Sequence, residues 1–134
     1  MPRKPLSTIA FISWMVLVTL LSLFSFSEDS FTQLNIPFLD KIAHFVFYFG
    51  AVILGCLALR EMVTKKLQLR KAIGYNLGFA MVYGIIIEVL QEKYTTFRDG
   101  NVYDVMANSL GAVIGAIVLY YGLKNIPSLR WEAD

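Results

Sequence analysis

Residues 40–59 read DKIAHFVFYFGAVILGCLAL. Past Asp40 and Lys41, eighteen residues follow in which His44 is the one group that ionises near neutral pH. A helix rising about 1.5 Å per residue needs roughly 18–20 apolar residues to cross a hydrocarbon core about 30 Å thick. The stretch 42–59 meets that length and predicts a membrane-spanning helix with a histidine inside it. Three further blocks have the same character, at 8–26, 72–91 and 103–123. Backbone groups in hydrocarbon must pair within their own segment, so these blocks are expected to be helices. The short alternating segments of a membrane β-barrel are missing. The expected fold is therefore an all-α membrane protein, a compact bundle of four transmembrane helices formed by one domain over 1–134.

Composition agrees. Of 134 residues, 57% are hydrophobic and 16% charged, more apolar surface than a water-soluble domain of this size can bury. Cys56 is the one cysteine, which excludes an intrachain disulfide and a cysteine-based metal cluster. Its mid-span position predicts a packing or lipid-facing role. No basic stripe for nucleic acid and no glycine-rich phosphate loop occurs. The first block has Arg3 and Lys4 before it, as a signal peptide would. Its apolar run is longer than a usual signal core and lacks an Ala-x-Ala site, so an uncleaved span is expected.

Lysine and arginine placement sets the expected orientation. Arg60, Lys65, Lys66, Arg70 and Lys71 fall between the second and third blocks, and Lys124 and Arg130 follow the fourth. The other two connections are rich in acids. Both termini are expected in the cytoplasm of a multi-pass protein of the bacterial cytoplasmic membrane, with 27–41 and 92–102 facing outward.

Depth can be counted from the basic boundary. His44 is 16 residues before Arg60, Glu88 is 17 after Lys71, and Asn108 is 16 before Lys124. At about 1.5 Å per residue all three sit near one level, roughly 24–26 Å above that boundary. Asp40 and Asp104 lie one turn further out, and Gln91 one turn beyond Glu88. Ionisable groups inside a span are costly and face the bundle interior or a wet cavity. Gly111 and Gly115, and likewise Gly74 and Gly78, have the GxxxG spacing of close helix packing. Taken singly, each polar residue has a structural reading. Asp40 suits the positive end of a helix dipole, Asn101 and Asp104 resemble a capping box, His44 can fasten helices, and Lys41 and Lys93 can anchor at the interface. The shared depth favours a functional cluster.

The segments DKIAHFVFYFG, YGIIIEVLQ and RDGNVYDVMANSLGAVIGA together resemble the VanZ-like family of bacterial membrane proteins over residues 40–116. The matching positions are Asp40, Lys41, His44, Glu88, Gln91, Arg98, Asp104, Asn108 and Gly111. Asp99 and Gly100 depart from the Ser or Thr run that often follows the arginine. The resemblance implies a role in the cell envelope, the family's namesake being associated with low-level resistance to teicoplanin.

Two function classes follow, at equal weight. In an envelope enzyme, His44 acts as acid, base or nucleophile, with Glu88 or Asp104 orienting it. Lys41 and Arg98 then hold an anionic headgroup, such as that of a lipid-linked cell-wall precursor, beside Asp40, Gln91 and Asn108. In a binding module, the same residues hold a membrane lipid headgroup or a lipoglycopeptide without turnover. A metal variant places Mg²⁺ or Ca²⁺ rather than Zn²⁺ on His44, Glu88 and Asp104, because one imidazole with two carboxylates is a hard, oxygen-rich set. A purely structural cluster and an ion-coupled transporter are the remaining alternatives; four spans with polar groups in one half offer no path across.

Overall fold

The computed structural model describes residues 5–24, 38–63, 67–94 and 102–123, with 126 and 131. These form four helices: α1 Leu6–Leu23, α2 Leu39–Met62, α3 Leu69–Tyr94 and α4 Val102–Val118. α4 runs on into a π-helical turn, Leu119–Leu123. All four segments are long and apolar enough to cross a membrane, the last counted as Val102–Gly122. The chain is an all-α, multi-pass membrane protein whose helices pack together. Large apolar side chains cover its outside: Ile12 and Val16 on α1, Val82 and Ile85 on α3, and Leu110 on α4 are each more than half exposed. In water such a surface would aggregate; against lipid tails it is the expected exterior.

α2 is the central helix and packs most extensively on α4, then on α1. Glycine sets the α2–α4 contact. A Cβ on Gly111 would run into the carbonyl oxygen of Phe45, and one on Gly115 would lie 2.8 Å from that of Phe49. Two glycines four apart thus let one backbone rest on the other along two successive turns, as the GxxxG spacing predicts.

The second glycine pair behaves differently. Gly74 and Gly78 are exposed, and among the described residues nothing lies within 4 Å of a Cβ built on either. The expected packing seam on α3 is therefore not found there. α3 uses the opposite face, where Asn76 and Ala80 are buried. Asn76 enters a notch left by Gly55 of α2 and donates to its own helix at the Ala72 carbonyl, 2.9 Å away, with Cys56 Sγ at 3.5 Å. Cys56 is fully buried, in the packing role.

α1 is held through its polar atoms. Its first turn has no side-chain cap of its own. The Glu61 carboxylate, from the end of α2, accepts from Ser7 N at 2.9 Å, Thr8 N at 2.8 Å and Thr8 Oγ1 at 3.0 Å. A carboxylate there satisfies orphan amides and opposes the positive end of the dipole. Further along, Trp14 Nε1 donates to the Phe47 carbonyl at 2.8 Å, with its ring against Gly50.

Candidate functional site

The start of α2, the end of α3 and the start of α4 share one end of the bundle. Asp40 and Asp104 each occupy the first turn of their helix, so the dipole role read for them from sequence is geometrically available. One turn inward, α2 contributes His44 and α4 contributes Asn108; α3 delivers Glu88. Their placement follows from the seam below. Gly111 is three residues past Asn108, and its contact with Phe45 pins α4 beside His44.

The four inner groups are buried although three can ionise: His44 is 3% exposed, Glu88 6%, Asp104 9% and Asn108 3%. His44 Nδ1 lies 3.0 Å from Asn108 Oδ1. A carboxamide oxygen only accepts, so Nδ1 carries the proton and a neutral His44 turns its lone pair out at Nε2. Nε2 faces Asp104 Oδ2 at 3.8 Å, and Glu88 Oε1 lies 3.8 Å from Nδ1. Both separations exceed hydrogen-bond length. One donor atom from each of His44, Glu88 and Asp104 lies within 4.8 Å of the others.

Lys41 closes the outer side. Its Nζ is 2.6 Å from Asp40 Oδ2 and 3.2 Å from Asp104 Oδ1. Asp104 therefore gives one oxygen to Lys41 and turns the other to His44. Asp40 and Asp104 face Lys41, and Glu88 adds a third carboxylate beside His44, so these described side chains are net negative when His44 is neutral.

The floor is Gly84, one turn below Glu88. The site of its missing Cβ lies 3.2 Å from the Tyr48 ring and 3.3 Å from Asn108 Nδ2. Tyr48 Oη and Asn108 Nδ2 are buried donors with no hydrogen-bond partner among the described residues. A void of about 10 Å³ touches Gly84 and Asn108, roughly the room that one water needs.

The depth count thus holds as geometry: His44, Glu88 and Asn108 meet, and Asp104 and Lys41 join them. Asp40 is the most exposed of the set, its side chain at 45%. Gln91 ties α3 to α1, donating to the Ser22 carbonyl at 2.7 Å. Arg98 lies outside the described residues, as does Asn101 of the capping-box reading. Reading the sequence missed the contribution of α1. Thr19 hydrogen-bonds Tyr83, and Ser22 is buried beside Gln91. Two small hydroxyls three apart in an apolar span were the available signal. Tyr48, one turn below His44, adds a buried hydroxyl.

Such a site can move a proton at Nε2 of His44 or hold a cation between imidazole and carboxylates. The family model for VanZ/LLP1 matches residues 4–124, nearly the whole chain. No curated protein matches the chain, and no solved structure does.

Proposed function

We infer, from the premise that the chain belongs to the VanZ/LLP1 family, that it serves the cell envelope from the outer face of the bacterial cytoplasmic membrane. Its polar end takes the charged headgroup of a lipid-linked cell-wall precursor or of a lipoglycopeptide such as teicoplanin. Both termini face the cytoplasm in this reading, which rests on the basic residues between α2 and α3 and after α4.

The observation that carries it is the convergence of His44, Glu88, Asp104 and Asn108 from three helices at one end of the bundle. Holding helices together is a weak reason for this arrangement. A hydrogen bond between membrane helices contributes only about 0.6 kcal/mol on average, a small return for burying four polar side chains. The position near one end of the helices also suits a headgroup, which lies at that depth while its tail stays in lipid.

Susceptibility to teicoplanin and the profile of envelope lipids are the test, compared at matched membrane levels of wild type, His44→Ala and Glu88→Gln. Loss of the phenotype with normal insertion supports the site. A lipid species made only by wild type marks turnover, whereas saturable binding without product marks a receptor. An intact phenotype in both variants rejects the reading. Failed insertion in both, with no phenotype left to compare, assigns the cluster to architecture.

A further inference from the structure

Among the described residues, the polar end gathers more carboxylates than ammonium groups. Lys41 is already engaged by Asp40 and Asp104, and Glu88 adds a third carboxylate. With His44 neutral, these five side chains sum to two net negative charges.

The local geometry asks for positive charge at one place. Asn108 holds the Nδ1 proton of His44, so the Nε2 lone pair is directed into the cluster. It faces Asp104 Oδ2 at 3.8 Å. With His44 neutral, that lone pair and the carboxylate oxygen repel in a low-dielectric interior, and a cation between them removes the repulsion. Two ligand atoms about 2.1–2.3 Å from a common divalent ion stand roughly 3–4.5 Å apart. The separation of 3.8 Å lies between the cis and trans spacings of an octahedral ion, and the donor set of His44, Glu88 and Asp104, within 4.8 Å of one another, reaches such a site by side-chain adjustment.

We propose that His44 Nε2, Glu88 and Asp104 bind one divalent cation of the Mg²⁺ or Mn²⁺ class, with Asn108 orienting the imidazole. The two ligand carboxylates match the charge of such an ion. The hydrogen bond from Nδ1 to Asn108 Oδ1 is the second contact by which metal-binding imidazoles are held in one tautomer. Two buried donors lie beneath the cluster. Asn108 Nδ2 and Tyr48 Oη are each more than nine-tenths buried, have no partner among the described residues, and meet at Gly84 below Glu88, next to a void of one water's size. Asn108 lines that void, so a water in it can accept from Nδ2 of the same residue that orients His44. One imidazole and two carboxylates leave octahedral positions open, so the ion can also take an anionic oxygen of a headgroup. In that respect the inference rests on the site proposed above and explains how a carboxylate-lined site holds an anion.

The probe is Mn²⁺ alone, titrated into the full chain, purified in detergent without a histidine tag. Binding is followed by the loss of the free-ion electron paramagnetic resonance signal. His44 is the chain's single histidine, so electron spin echo modulation from an imidazole nitrogen identifies the site without mutation. We expect one ion per chain with that nitrogen coupling, displaced by excess Mg²⁺. Glu88→Gln and Asp104→Asn should weaken binding by more than about 100-fold, and Asn108→Ala by about 10–100-fold, the range for loss of an outer-shell partner. Glu92→Gln, which removes an exposed carboxylate one turn away, should leave binding unchanged. No stoichiometric ion, or a bound ion without imidazole coupling, overturns the metal site. Neither result touches the headgroup reading, which stands or falls by susceptibility and lipid profile. Conversely, Mn²⁺ bound through His44 in a chain whose variants keep the phenotype sustains the metal and rejects the headgroup.

Discussion

The chain carries two glycine pairs of identical spacing with opposite fates. In α4, Gly111 and Gly115 lie against the backbone of Phe45 and Phe49. In α3, Gly74 and Gly78 face open space among the described residues. Spacing thus creates a smooth stripe on a helix, but it does not name the neighbour that uses it. The difference matters for the site, because the α4 pair presses Asn108 and Asp104 toward α2. Gly55 is an intermediate case: its obstacle is the end of the Asn76 side chain rather than main chain.

Substitutions at these glycines should therefore separate into three grades. Gly111→Leu should have the largest effect. The Phe45 carbonyl cannot move without displacing α2, so the loss should reach at least about 3 kcal/mol, beyond the usual range for overpacking. Reversible unfolding in mixed micelles measures it, and Mn²⁺ binding should fail with it. Gly55→Ala should cost less, about 1–3 kcal/mol. Adding Asn76→Ala should recover part of that loss, since it removes the atoms in the way; a double-mutant cycle reads the coupling. Strict additivity would show that the Gly55 notch does not accommodate Asn76. Gly78→Ala should be the mildest, neutral or stabilising by up to about 1 kcal/mol through helix propensity. A clear loss from Gly78→Ala would reveal a partner on that face and make the two pairs alike after all.

Much of the site was legible before any coordinates. His44, Glu88 and Asn108 were aligned by counting from basic boundaries, and they do meet. Counting works because helix rise is fixed and each span must match one slab thickness. What counting could not give is rotation about each helix axis. It could not say that Asn108, rather than a carboxylate, would hold Nδ1, or that Asp104 would divide its oxygens between Lys41 and His44. Glu61 illustrates the same gap. In sequence it is one charge at the end of a span; in space it caps a helix 53 residues away.

The sequence by itself determined the number of candidate spans, their helical state and the level of each polar group along its helix. These follow from apolar run length, the ban on unpaired backbone in hydrocarbon and a constant rise per residue. Only the tertiary structure decided which faces meet. It selected one glycine pair over another of equal spacing, placed α1 on α2 through Glu61 and Trp14, and turned His44, Glu88 and Asp104 toward a common point. Those choices depend on all four helices packing at once, and no local stretch of chain holds that information.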